Sequence, residues 1–117
     1  KEHTFINAAF GVMGLETALS VISTVMVGPG LLDWAGVAQV MSARPARIAG
    51  LSGHGRPIAV GEPANLTLVD PSATVTVDRD VSVSLSRNNP WHGRTLKGTV
   101  YATLLRGEPT VLKGALV

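Results

Sequence analysis

The chain has 117 residues, 45% of them hydrophobic and 15% charged, with ten Lys and Arg against eight Asp and Glu. That much apolar content with so little charge excludes a disordered chain, and an excess of two positive charges is too small for a nucleic-acid footprint. No apolar run approaches about 18 residues, the least that reads as a membrane span, and the absence of cysteine removes disulfides and thiolate metal sites, which fits a cytoplasmic enzyme or module.

The opening Lys1-Glu2-His3-Thr4 has neither Met nor the basic-then-apolar pattern of a signal peptide, so the chain reads as starting within a longer protein. Val12, Leu15, Leu19, Ile22 and Met26 recur at three- and four-residue steps and predict one apolar helix face. This helix should start between Gly11 and Gly14 and end at Gly28-Pro29-Gly30, where glycine supplies a left-handed turn and proline cannot continue. A second helix is expected from an Asp33 cap, with Leu32 and Val37 placed as a hydrophobic staple and Ala35, Val37, Ala38, Val40 and Met41 on its buried side. Pro45 should break it, because the residue before proline is pushed out of the helical region. One further turn over 45–49, closed by Gly50, is expected after the break.

Beyond Gly53 the pattern alternates. Short strands are expected at 57–60, 66–69 and 74–77, and Val81-Ser82-Val83-Ser84-Leu85 predicts a half-buried strand. Residues 99–105 and 110–112 predict a hairpin across the four-residue loop Arg106-Gly107-Glu108-Pro109, and 86–97 forms the one long irregular stretch. Two or three helices are therefore followed by a small all-β module. The helices are too few and too apolar to make a domain alone.

Candidate chemistry is sparse. His3, His54 and His92 show no His-x-His or His-x-x-x-His spacing and read as surface or turn residues; Glu2 and His3 are weak candidates for a loop near a site. Asp78 and Asp80, the one close carboxylate pair, flank Arg79 in an expected solvated turn. Gly50-Leu51-Ser52-Gly53-His54-Gly55 has the glycine content of a phosphate loop without the strand before and helix after. No Gly-x-Ser-x-Gly elbow occurs, so the chain holds no complete active site, no catalytic residue and no metal ligand set. Phe10-Gly11 stands apart. A Phe-Gly turn just before a helix lets backbone amides approach a ligand closely; its alternative is a hydrophobic turn that anchors the helix.

Four stretches together resemble the dihydroorotases of the amidohydrolase superfamily. Ala9-Phe10-Gly11-Val12-Met13-Gly14-Leu15-Glu16-Thr17 is similar to the segment in which a Phe-Gly turn and Gly-Leu-Glu-Thr follow the last barrel strand. Ala43-Arg44-Pro45-Ala46-Arg47-Ile48-Ala49-Gly50-Leu51 resembles the superfamily's Asn-Pro-Ala-x-x-x-Gly-Leu helix end, with Arg44 in place of Asn. Residues 55–70 resemble the strand pair that returns to a β-module, with Asn65 where Asp is usual, a change that bears on a turn hydrogen bond. Ser86-Arg87-Asn88-Asn89-Pro90-Trp91-His92-Gly93-Arg94-Thr95-Leu96-Lys97-Gly98 resembles the dihydroorotase form of Ser-x-Asn-x-Pro-aromatic-x-Gly-x-x-Leu-x-Gly.

The resemblance implies an α/β fold, the C-terminal part of a metal-dependent (β/α)8 barrel plus most of a small β-sandwich. Residues 1–53 would be the last helical layer with the substrate turn, and 54–117 the β-sandwich module. It implies reversible, zinc-dependent cyclisation of N-carbamoyl-L-aspartate to L-dihydroorotate, with the zinc ligands upstream of this segment and Phe10 and Gly11 binding substrate mainly through backbone groups. The implied partners are the remainder of the same chain, a second copy in a homodimer, and aspartate transcarbamoylase. Three other readings stay open: a related cyclic amidohydrolase acting on a dihydropyrimidine, hydantoin or allantoin, a non-catalytic dihydroorotase-like scaffold subunit, and an autonomous binding module.

Overall fold

The computed structural model describes residues 4–8 and 10–117; Glu2 and His3, named above, lie outside the described residues. A 3-10 turn, Phe5–Asn7, stands before an irregular segment over residues 10–17. The first helix comprises α1, Ala18–Ile22, continued without a break by a π-helical turn, Ser23–Val27. It starts later than the periodicity predicts, because Gly11 is left-handed (φ +63°) and residues 10–17 are held in turns by bonds described below. Its end is as expected and resolves to Gly30. That residue has φ +78°, its N–H donates to the Val27 carbonyl at 2.9 Å, and the Leu31 N–H returns to Met26 at 2.9 Å. This pair of bonds is a Schellman closure.

The second helix is capped by Asp33, whose carboxylate accepts the Gly36 N–H at 2.7 Å. It runs through α2, Trp34–Ala38, a π-helical turn, Gln39–Ala43, and α3, Arg44–Ile48. The expected break at Pro45 is corrected: Arg44 keeps helical angles (φ −68°, ψ −47°) and the chain passes straight through. The wider π turn just before Pro45 suits a residue that has no N–H to give to the preceding turn. Gly50 (φ +68°) then closes the helix with a second Schellman pair, Gly50 N–H to Arg47 at 3.2 Å and Leu51 N–H to Ala46 at 2.9 Å.

One antiparallel sheet follows, of order β1-β2-β3-β4. The strands are β1, Leu66–Thr76, β2, Thr95–Leu105, β3, Glu108–Leu112, and β4, Ala115–Leu116. The strands expected at 66–69 and 74–77 are two halves of β1. The register shifts between Asp70 and Thr74, where the Asp70 carboxylate folds the extra residues into a turn by accepting from the Ser72 N–H (2.9 Å), the Ser72 hydroxyl (2.7 Å) and the Ala73 N–H (3.0 Å). These bonds hold the Asp70 carboxyl below its usual range. No strand forms at 57–60, where Ile58 and Val60 are exposed on an irregular loop. The hairpin loop has two residues rather than four. Arg106 (φ 53°) and Gly107 (φ 91°) are both left-handed and Leu105 pairs with Glu108, the geometry of a type I′ turn. Lys113 (φ 52°) and Gly114 (φ 78°) repeat it before β4, which the sequence reading missed.

β2 begins at Thr95, four residues earlier than expected, and Leu96 is the most buried side chain of the core at 2% exposure. Gly98 (φ +81°) is the point at which the first helix meets the sheet. A Cβ there would stand 2.5 Å from the Ser23 hydroxyl oxygen and 2.7 Å from the Ser23 Cβ. Ser20 donates its hydroxyl to the Gly98 carbonyl and Lys97 donates its N–H to the Thr24 hydroxyl at 2.8 Å. The helix thus lies on β2 through buried Ser20 and Ser23 and the half-buried Thr24.

The apolar face foreseen for this helix turns elsewhere: Leu15 is 93% exposed and Leu19, Ile22 and Met26 are only half-buried. Leu15, Leu19, Trp34, Met41, Ile58 and Val69 line part of an open groove of about 720 Å³ between helices and sheet. The radius of gyration, 15.9 Å, exceeds the roughly 13 Å of a compact domain of this length, in keeping with a core limited to Val37, Ala46, Val77, Leu96 and Ala102. Among the described residues no helix is long and apolar enough to cross a membrane.

Candidate functional site

The Phe10-Gly11 turn is fully on the surface. The Phe10 side chain is 92% exposed, and a Cβ at Gly11 would meet no atom within 4 Å. Its left-handed φ is affordable to glycine and strained for other residues. The turn is not free, however. Asn88, on the loop before β2, donates its side-chain amide to the Phe10 carbonyl at 3.1 Å and to the Gly11 carbonyl, and its own backbone carbonyl accepts the Met13 N–H at 2.8 Å.

A second clamp sits five residues on. The Glu16 carboxylate accepts the Ser82 hydroxyl at 2.6 Å, the Ser84 N–H at 3.0 Å, the Ser84 hydroxyl at 2.9 Å and the Val83 N–H at 3.3 Å. Hydrogen bonding by Ser82, then by Ser84, lowers the Glu16 carboxyl to about 2. The expected strand over 81–85 is therefore corrected. The alternation is real but inverted: Val81, Val83 and Leu85 are exposed, while Ser82 and Ser84 turn inward to Glu16. Arg87 secures the same loop by donating to the Ser84 carbonyl. Asn89, buried beside it, accepts the Trp91 N–H at 2.9 Å, and the Arg94 guanidinium lies 5.9 Å from the Trp91 ring centre.

Asp78, Asp80 and His92 converge, with ligand-type atoms within 4.8 Å of one another. All three are exposed and engaged in ordinary loop bonds: the Asp78 carboxylate accepts the Asp80 N–H at 2.9 Å and His92 Nδ1 accepts the Arg79 N–H at 3.2 Å. The carboxylate pair was visible in the sequence; His92 beside it was not. The cluster has the donor pattern of a loop staple; with one imidazole and two exposed carboxylates it differs from the ligand sets of catalytic zinc sites, which are three His, two His with a Glu, or two Cys with a His. His54 is exposed in its glycine-flanked turn, as expected. Neighbouring Gly55 packs on the second helix, where a Cβ would stand 2.6 Å from the Ser42 carbonyl. Asn65 accepts the Arg106 N–H at 2.8 Å and donates to the Gly53 carbonyl at 3.2 Å; a carboxylate in its place could not make the second bond.

Neither Asn88 nor Glu16 was given a role by sequence reasoning, although both stand inside the motifs quoted for the resemblance. The signal was pairing: the two motifs most particular to one family, at 9–17 and 86–93, are the two that clamp each other.

No protein-family model matches the chain. It is 60% identical over 106 residues to the dihydroorotase of Mycobacterium leprae, an alignment covering 91% of this chain and 25% of the relative. To the dihydroorotase of Streptomyces coelicolor it is 53% identical over 116 residues, covering 99% of this chain and 27% of the relative. The chain thus spans about a quarter of the length of these relatives. Among solved structures it is similar to an L-hydantoinase (dihydropyrimidinase) from Arthrobacter aurescens, with a TM-score of 0.84 and 31% identity over 94% of this chain and 24% of that one. A D-hydantoinase from a Thermus species gives a TM-score of 0.84 at 26% identity, over 97% of this chain and 25% of that one. With more than half of its residues shared with these two relatives across nine-tenths of its length, the chain belongs to the dihydroorotase family as a segment of such a protein.

Proposed function

We propose that this chain is the C-terminal part of a dihydroorotase that cyclises N-carbamoyl-L-aspartate reversibly to L-dihydroorotate in pyrimidine synthesis. The observation that carries the reading is the 60% identity to a dihydroorotase over 91% of the chain. In this reading residues 1–53 are the last helical layer of a (β/α)8 barrel and residues 54–117 most of a β-sandwich. Val12 and Leu15, exposed just before the first helix, Val25 on it and the open groove support it, since all would be covered by the upstream barrel. Phe10 and Gly11 meet the substrate ring through backbone groups; the open space at the Gly11 Cβ position and its left-handed φ support a close approach there.

The parent protein is read as zinc-dependent. Zinc would supply an activated water and polarise the amide carbonyl. The residues described here do not make its ligand set, so the ligands are assigned upstream and no step is drawn through them. A cytoplasmic location, a homodimer and an association with aspartate transcarbamoylase complete the proposal.

The likeness to hydantoinases at a TM-score of 0.84 favours one second reading, a related cyclic amidohydrolase. The test is to express the parent protein and measure turnover of dihydroorotate, dihydrouracil and hydantoin before and after chelation. Dihydroorotate turnover that chelation abolishes and zinc restores is expected. Turnover of hydantoin or dihydrouracil in its place would establish the second reading. Turnover of none of the three would identify a scaffold subunit, to be checked by co-purification with aspartate transcarbamoylase.

A further inference from the structure

We propose that Asn88 is a positioning residue that sets the orientation of the Phe10-Gly11 turn and so presents a pair of backbone N–H groups to the substrate; the inference rests on the reading of that turn as a substrate contact. The stoichiometry is complete. A carboxamide has two N–H donors, and Asn88 spends them on two adjacent carbonyls, those of Phe10 and Gly11. The assignment of its nitrogen is fixed by its partners, because carbonyl oxygens can only accept. The third bond, from the Met13 N–H to the Asn88 carbonyl, anchors the far end of the same turn.

The consequence follows from peptide planarity. In a trans peptide the N–H points opposite to its own C=O. With the carbonyls of residues 10 and 11 both drawn to one amide nitrogen, the N–H groups of Gly11 and Val12 face away from Asn88. Among the described residues neither donates to a backbone carbonyl or side chain. Two adjacent donors beside a left-handed glycine suit oxygens with partial or full negative charge, such as the ring carbonyl and the carboxylate of a cyclic ureide. Removing Asn88 frees both peptides to rotate and disperses that pair.

The test uses the parent protein with Asn88→Ala and Asn88→Asp. The alanine variant removes both donors but keeps the backbone bond to Met13. The aspartate variant has the same shape and sets carboxylate oxygens against two carbonyls. The expected result is a KM for dihydroorotate about tenfold higher in Asn88→Ala and higher still in Asn88→Asp, with kcat changed by less than about threefold. Amide exchange across residues 10–16, followed by mass spectrometry, should quicken about tenfold while β2 and β3 stay protected. Unchanged exchange across 10–16 would overturn the proposal, as would a loss confined to kcat or a lower melting temperature with KM intact. Exchange needs no turnover, so a wild-type protein inactive on dihydroorotate would defeat the functional reading while the exchange comparison still decides whether Asn88 holds the turn.

Discussion

The two faces of the first helix are built from different chemistry. One carries Ser20, Ser23 and Thr24 and is pressed onto β2; the other carries the half-buried Leu19, Ile22 and Met26 and follows exposed Leu15. Ordinary amphipathic helices turn the apolar side to the sheet. Here the sheet contact uses small side chains because Gly98 brings β2 too close for anything larger, and hydroxyls because Gly98 O and Lys97 N–H need partners. The difference teaches that the helix combines a short-range bonded seam within this chain with an apolar surface that this chain covers only in part.

The seam should be the more fragile in isolation. Gly98→Ala in the parent protein combines a left-handed φ of +81° with a Cβ 2.5 Å from the Ser23 hydroxyl. We expect a loss of about 3 kcal/mol or more, read by chemical denaturation. A loss below about 1 kcal/mol would show that the helix slides away cheaply and that the seam is not specific.

The open face makes the opposite prediction. Leu19→Ala should cost about 2–3 kcal/mol in the parent protein, where the face is expected to be covered. In the 117-residue segment alone the cost should be well under about 1 kcal/mol. Equal effects in the two contexts would mean that the face stays open and that the barrel does not pack there.

The helices and the sheet were legible to different degrees, and the reason is physical. Caps and closures act over four or five residues, so Asp33, Gly30 and Gly50 could be read in order along the chain. The seam could not be, because the partner of Ser20 lies 78 residues away and a Ser-Ser-Thr face carries no hydrophobic signal. Val81-Ser82-Val83-Ser84-Leu85 misled for the same cause: alternation says that two sides differ, and the side that faces inward was decided by Glu16, far off in sequence. At the candidate site the Phe-Gly turn was legible as a glycine-permitted approach, whereas Asn88 had no local reason to be singled out.

Glu16 offers a pH-dependent edge to the comparison, since it bonds the start of the first helix to the 82–84 loop beside the seam. Its carboxyl is lowered from 4.5 to about 2 by Ser82 and Ser84. A depressed carboxylate contributes stability that is present above its ordinary value and is lost as pH falls from about 5 toward 2. Because the group is largely exposed, the contribution is discounted to about 1 kcal/mol. Glu16→Gln should lower stability by that amount at pH 7 and match the wild type near pH 2, with exchange in residues 82–86 as the local readout. Some acid sensitivity will persist in the variant, because Asp70 is lowered as well by Ser72 and Ala73. A difference that does not narrow with acid would assign Glu16 a packing role in place of an ionic one.

The smallest effect calibrates the others. Lys113 and Gly114 form a two-residue turn with both φ angles positive, and the Gly114 N–H donates to the Tyr101 carbonyl of β2 at 3.0 Å. Lysine pays a steric cost in that region that asparagine largely avoids, and Asn-Gly is the preferred pair for this turn. Lys113→Asn should therefore stabilise the β3-β4 hairpin by about 0.5 kcal/mol, seen as slower exchange at Val111 and Leu116, which pair across the strands. The same substitution removes none of the bonds of the seam, Ser20 to Gly98 and Lys97 to Thr24. Whatever change it makes in global stability sets the scale below which a difference between those two surfaces carries no meaning, and a destabilisation would show that the Lys113 side chain has a partner that outweighs its backbone strain.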